Sequence, residues 1–224
     1  MDIMKTSSWF WDCYAQCYDG LLSIVPYQRL LNRVQTAVPP GARTLLDAGC
    51  GTGNLLQAMR RADSALRLHG VDFSEIMLRR AKTKIPDAVL LKGDLNGRLP
   101  FPDGSFDVVT CINVLYAVTH PERTLTELRR VLTRGGTLMV SSPLARPRLS
   151  AFLREHASVA GWWRTLPLAG RLWALVLINA VIFRRGRRGQ YHFLDLRTVQ
   201  KLFVPATIDR AYADQNWFAC AIKQ

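Results

Sequence analysis

Asp47-Ala48-Gly49-Cys50-Gly51-Thr52-Gly53 brings a carboxylate and three glycines together within a few residues. Glycines let a backbone turn sharply and approach a ligand closely. A carboxylate just ahead of them can take a cationic amine. The apolar Leu45-Leu46 before this run and the helical pattern of Leu55 to Arg61 after it predict a strand, a loop and a helix. Asp72 closes a second apolar run about 20 residues past the loop, a spacing that suits acceptance from two ribose hydroxyls. A lone Asp after a strand is more often a helix cap; its place behind the glycine loop favours the ribose role. Phe73 and Met77 are placed to line an adenine, with core packing as the other role open to them. A dinucleotide loop, Gly-x-Gly-x-x-Gly, fits less well. The third glycine comes one place early, and Asp47 would face an anionic pyrophosphate.

Acid–base or substrate-holding chemistry falls to few residues. Asn113 follows an apolar run, Phe106 to Ile112, and is expected to hold backbone or substrate in place. Cys111 and Tyr116 fall nearby, and none of the three is a convincing base. Tyr191 and His192 are the remaining catalytic candidates. His120 precedes Pro121 at a helix start and reads as a capping-region residue, and His69 lies inside a strand and reads as structural.

The elements that must position these groups alternate. Strands are predicted at Arg43–Ala48, Leu66–Val71, Val89–Lys92, Phe106–Ile112 and Thr137–Ser142. Helices are predicted at Leu55–Arg61, Ile76–Lys84 and Pro121–Leu132, which argues for a parallel sheet covered on both faces. Residues 7–37 read as helical, with Pro26 starting a second helix. Ala206–Ala213 and Trp217–Ile222 read as an antiparallel hairpin turning at Asp214-Gln215-Asn216. The domain reading is therefore one unit: N-terminal helices over 1–40, a core over 41–145, an insertion over 146–190 and terminal strands over 191–224.

The glycine loop closely resembles motif I of the class I S-adenosylmethionine (SAM)-dependent methyltransferases, of the type 11, quinone-precursor and phospholipid kind. Four later segments match in order: Gly70-Val71-Asp72-Phe73-Ser74, Gly93-Asp94-Leu95, the lead-in Leu99 to Asp107, and Arg130-Val131-Leu132-Thr133-Arg134-Gly135-Gly136. The resemblance covers residues 45–142. It implies SAM as cofactor, with Asp47 and the loop (Gly49, Cys50, Gly51, Gly53) at its methionine end and Asp72 on its ribose. Asp94 would accept from the adenine amino group, and the Leu95 amide would meet the ring. Ala15-x-x-Tyr18-Asp19 resembles the opening helix of methyltransferases acting on quinone precursors and of some bacterial phospholipid N-methyltransferases, where the aromatic covers bound SAM. The implied fold is α/β and Rossmann-like, with a seven-stranded, mostly parallel sheet in the order 3-2-1-4-5-7-6. Helices lie on both faces, and a helical insertion follows the fifth strand.

The chain's net charge of +13 is unevenly placed. Residues 146–190 hold nine arginines against one acid, Glu155, a net +8. Such a cluster points to an anionic partner. Two candidate helices lie here, Leu149–Ala160 and Leu166–Phe183, with Trp162, Trp163 and Trp173 and then Arg184-Arg185-Gly186-Arg187-Arg188. Apolar helix, tryptophans and arginines together are the parts of an interfacial membrane element. Arg171 leaves the apolar run too short to span. A cap over the substrate pocket and a homodimer contact are the alternatives. Five cysteines without a C-x-x-C pair, and no secretion signal, favour a reducing, cytoplasmic compartment with peripheral membrane contact. No metal site is expected. The expected function is methyl transfer to a hydrophobic or amphipathic small molecule: a lipid, a quinone precursor or another apolar metabolite. A nucleic-acid methyltransferase and a non-catalytic SAM-binding protein are the other two readings. Nucleic acid is disfavoured by Cys111-Ile112-Asn113-Val114, which stands where base-amine methyltransferases carry Asn/Asp-Pro-Pro-aromatic.

Overall fold

The computed structural model describes residues 14–15, 17–144, 149–163, 165, 180, 184, 192–203 and 206–224. Its helices are α1 (Val25–Ala37), α2 (Asn54–Ala62), α3 (Glu75–Lys84), α4 (Pro121–Val131), α5 (Leu149–Ala160) and α6 (Leu196–Leu202). Its strands are β1 (Thr44–Ala48), β2 (Arg67–Asp72), β3 (Val89–Lys92), β4 (Phe106–Ile112), β5 (Leu132–Pro143), β6 (Ala206–Ala211) and β7 (Asn216–Ile222). They form one sheet in the order β3-β2-β1-β4-β5-β7-β6, as expected. β1 to β5 pair in parallel, and β7 runs antiparallel between β5 and β6.

Alternation along each central strand feeds two cores, one on each sheet face. Leu45, Val108, Met139 and Phe218 point to the side covered by α1, α2 and α3. Leu46, Val109, Leu138, Val140 and Trp217 point to the side of α4 and α6. On the α4 side, Arg130 donates to Asp103 at 2.6 Å and to the Phe101 carbonyl at 2.9 Å, while Glu127 accepts from the Leu99 amide at 2.7 Å. This network pins the lead-in to β4 onto α4.

Most element boundaries differ from the sequence reading by a residue or two, and a few differences have a physical reason. β5 begins at Leu132, because Phe106 pairs with Leu132 before the register shifts. α1 starts at Val25 behind an extended Ile24, with Pro26 in its first turn. The hairpin turn takes Tyr212 to Gln215, so Asn216 already belongs to β7. α6 was not foreseen; Asp195 caps it by accepting from the Thr198 amide at 2.7 Å. α5 has the predicted bounds. Of the second insertion helix and the arginine cluster, only Ala180 and Arg184 lie among the described residues, and both are exposed. No helix among the described residues is long and apolar enough to cross a membrane.

Candidate functional site

The C-terminal ends of β1 and β2 build one half of the site. The amides of Gly49 and Cys50 both donate to the Val71 carbonyl, at 2.7 and 3.0 Å, so the loop after β1 is fastened to the end of β2. Gly51 then donates to Asp72 Oδ2 at 2.8 Å, and Ser74 donates to Asp72 Oδ1 at 2.8 Å. Ser74, not Asp72, caps α3, accepting from the Met77 amide at 3.2 Å. An ionised carboxylate offers about four acceptor positions. The Gly51 and Ser74 amides take two, the Phe73 amide also acts on the carboxylate, and acceptor capacity is left for a hydroxyl.

Asp47 is 3% exposed. Thr110 Oγ1 donates to its Oδ1 at 2.8 Å. Burial pushes its carboxyl up from 3.8 to about 7; the Thr110 bond opposes the shift and the Asp72 charge adds to it. Burial raises Asp72 as well, against its amide bonds. Two carboxylates held at a desolvation penalty form an environment that gains from a cation.

Gly51 adopts φ +54°, and a Cβ on it would lie 3.6 Å from the Tyr18 ring and 3.9 Å from Met77 Sδ. The two side chains thus cradle the loop from above. Tyr18 meets Tyr14 and Tyr27 edge-on, at centroid distances of 5.2 and 6.5 Å. Tyr27 meets Tyr212 at 6.1 Å, and Tyr212 meets Phe152 of α5 at 4.6 Å. A belt of aromatic rings therefore runs from the loop to the hairpin turn and the first helix of the insertion. Beneath it lies a clamp that sequence reasoning missed. Lys84 Nζ donates to Asp19 Oδ1 and Asn54 Oδ1, each at 2.6 Å, and Thr52 Oγ1 donates to Asp19 at 2.5 Å. It fastens the Tyr18 segment to the loop.

Past β3, Asp94 Oδ1 accepts from the Asn96 amide and side chain, both at 2.9 Å. Leu95 and Met77 are buried, and Phe73 is half-buried. Past β4, Asn113 has φ +60° and donates its amide to the Ser141 carbonyl at 2.7 Å. His192 donates its amide to the Tyr116 carbonyl at 2.7 Å, and Phe193 stacks on Tyr116 at 5.7 Å. The chain leaving the insertion thus returns to the end of β4, where Asn113 stands. Tyr191 lies outside the described residues.

The remaining candidates play other parts. His120 is exposed at the start of α4, and its carbonyl accepts from the Thr124 amide. His69 packs edge-on against Phe101 and Phe106, and burial lowers its pKa. Cys50 and Cys111 are buried, and burial pushes both thiols up, away from the thiolate a nucleophile needs. Among the described residues, no cluster of three or more His, Cys, Asp or Glu could hold a metal.

A parallel sheet with a reversed strand order and an antiparallel seventh strand is the Rossmann-like class I methyltransferase fold. Residues 46–140 match the family model described as "Methyltransferase domain". The chain is 38% identical over 116 residues to the ubiquinone/menaquinone biosynthesis C-methyltransferase UbiE of Ralstonia pickettii, covering 50% of this chain and 47% of that protein. It is 37% identical over 115 residues to the demethylmenaquinone methyltransferase of Renibacterium salmoninarum, covering 51% and 46%. The matched part is thus about half the length of these curated relatives. A SAM-dependent methyltransferase of Thermotoga maritima, described as a possible histamine N-methyltransferase, superposes with a TM-score of 0.61 at 16% identity over 96% of this chain and 100% of that one, which shows the fold. The site's chemistry fits SAM: two penalised carboxylates for a ligand with cationic centres, open acceptor positions for ribose hydroxyls, and a glycine cradle under an aromatic.

Proposed function

We propose that this protein transfers the methyl group of SAM to a hydrophobic or amphipathic small molecule, of the quinone-precursor or lipid class, at or near a membrane surface. The observation that carries the transfer reading is the pair Asp47 and Asp72 around the Gly51 cradle roofed by Tyr18. Asp47 takes the amino group, Asp72 the ribose, and Asp94 with the Leu95 amide the adenine edge. Gly49, Cys50, Gly51 and Gly53 shape the loop, Phe73 and Met77 line the base, and Tyr18 keeps water off. Bound SAM supplies a methyl on a sulfonium that is already a good leaving group, so the protein's task is to place the acceptor in line. Asn113, His192 and Tyr191 are the residues that hold the acceptor or take its proton. The quinone-precursor class is supported by the two relatives named above. The test is release of S-adenosylhomocysteine on mixing the protein with SAM and a demethylated quinol in detergent micelles. SAM binding without turnover on quinol or phospholipid acceptors would leave a binding protein instead.

Asp47 sets a pH dependence. Its carboxyl titrates near 7 in the free protein and must be ionised to take an ammonium. Binding below that pH therefore releases a proton. SAM affinity should be about tenfold weaker at pH 6 than at pH 8, and level above pH 7.5. The free protein shows the opposite sign. A carboxyl raised from 3.8 contributes stability fully present below that value and lost as pH rises through about 7. Calorimetric titration with SAM checks the first sign and thermal melts of the free protein the second, each across pH 5.5–8.5; an affinity flat in pH would remove Asp47 from the amine.

The membrane reading draws on the end of α5, where Val159, Trp162 and Trp163 are exposed, Trp163 to 89%. Indoles favour the headgroup boundary. Arg154 and Arg184 are exposed as well, in the segment of net charge +8. Flotation with anionic vesicles should carry the protein upward, less so in high salt. Replacing Arg184, Arg185, Arg187 and Arg188 with glutamine should remove most of the salt-sensitive part, at about 1 kcal/mol for each charge. Replacing Trp162 and Trp163 with serine should weaken the remainder. A protein that stays at the bottom with neutral and anionic vesicles alike would make the insertion a lid or a subunit contact.

A further inference from the structure

Asn113 is one of four non-glycine residues at positive φ among those described, and the one that directly follows β4. The left-handed region is disfavoured for a residue with a Cβ, though Asn adopts it more readily than most. Something must therefore hold it there. Its amide is bound to the Ser141 carbonyl. Its side-chain Oδ1 receives the Nδ2 of Asn216 at 2.5 Å. Asn216 is 1% exposed, opens β7, and also donates to Ser141 Oγ at 3.2 Å.

The residue after Asn113 carries this arrangement to the glycine loop. Val114 fills the space over Gly49 so closely that a Cβ there would lie 2.4 Å from Val114 Cγ2. A path of direct contacts thus runs from the last strand, through the Asn113 side chain, to the loop that ends β1. Asn216 stands outside the 46–140 segment that matches the methyltransferase domain. No pattern within that segment would point to it.

We propose that Asn216 is a positioning residue for the SAM site: its amide fixes Asn113 in the left-handed conformation, which seats Val114 against Gly49 and sets the loop's shape. The inference rests on the reading that this loop binds SAM. It asks for a donor at position 216, and volume alone does not suffice. The partner atom, Asn113 Oδ1, can only accept.

The test compares Asn216→Leu and Asn216→Asp with the parent by calorimetric titration of SAM at pH 5.5 and pH 8. Asn216→Leu should weaken SAM about tenfold at both. In Asn216→Asp the introduced carboxyl opposes Asn113 Oδ1 when ionised and donates to it when protonated. Its affinity should be about tenfold below the parent's at pH 8 and within about threefold at pH 5.5. Asp47 titrates in parent and variant alike and cancels in the ratio. A leucine variant within twofold of the parent, or an aspartate-to-parent ratio flat in pH, would overturn the proposal. Should Asn216→Leu fail to fold, the aspartate ratio decides by itself. A parent that does not bind SAM at all would instead sink the function proposed above. The positioning claim is then read from backbone amide resonances without ligand. Those of Asn113, Val114 and Gly49 should move in Asn216→Asp between pH 5.5 and 8 by clearly more than in the parent, and equal movement would end the claim.

Discussion

Asp72→Ala should weaken SAM binding by a factor of 100 or more. The carboxylate accepts from the Gly51 and Ser74 amides, and in the ribose role it accepts from both ribose hydroxyls as well. Each hydrogen bond to an ionised group contributes about 1.5–3 kcal/mol. Losing two comes to at least about 3 kcal/mol, and each 1.4 kcal/mol is about tenfold in affinity. The alanine also strands the Gly51 amide in the loop that must stay cradled, so a relaxed loop adds to the loss. Calorimetric titration with SAM, alongside a circular dichroism spectrum to show that the variant folds, is the measurement. A dissociation constant within threefold of the parent's would take Asp72 out of the ribose site and leave it as a tie between β2 and the loop.

Gly49→Ala should lower the stability of the fold sharply. The residue sits at φ +81°, and the added carbon would lie 2.4 and 2.7 Å from the two Val114 methyls. The conformation costs about 1–2 kcal/mol for an alanine, and forcing a methyl into a filled core about 1–3 kcal/mol. For a chain of this size each kcal/mol lowers the melting temperature by about 2–4 °C. A fall of roughly 5–15 °C follows. Adding Val114→Ala to Gly49→Ala removes the two closest methyls, leaving the Val114 Cβ position at 3.0 Å and the strained φ, so up to about half of the loss should return. A thermal melt of the parent and both variants decides it. A Gly49→Ala protein melting within 2 °C of the parent would mean that the Val114 loop is free to move.

The parts that could be read from the sequence are the local ones. Val89–Lys92 and Phe106–Ile112 are short apolar runs bounded by polar residues, and the structure gives them the same limits. The early start of β5 was hidden because Thr133-Arg134-Gly135-Gly136 reads as a turn, and only the pairing of Leu132 with Phe106 shows otherwise. Helix α6 has seven residues, too few for a period to declare itself, although Asp195 three places ahead of Thr198 was a capping signal in plain view. The glycine loop and Asp72 could be found because a binding loop is contiguous and its ribose partner sits one strand away. The Asp19–Lys84 and Asn113–Asn216 contacts span 65 and 103 residues. No periodicity or spacing links such pairs; the sheet order does.

The place of β7 has a consequence for how the chain comes together. During synthesis β5 is made some 70 residues before the strand that will lie against its free side, a separation at which loop closure is slow. Until Asn216–Ile222 emerges, the row of amides and carbonyls from Thr137 to Pro143 has no partner along that edge. Around it lie Leu138, Met139 and Val140, all fully buried once the fold is complete. An apolar edge left open is a template for pairing with another chain. The nascent protein is thus most exposed to aggregation in the interval between the fifth strand and the seventh, the same interval in which the arginine-dense segment 146–190 is being made.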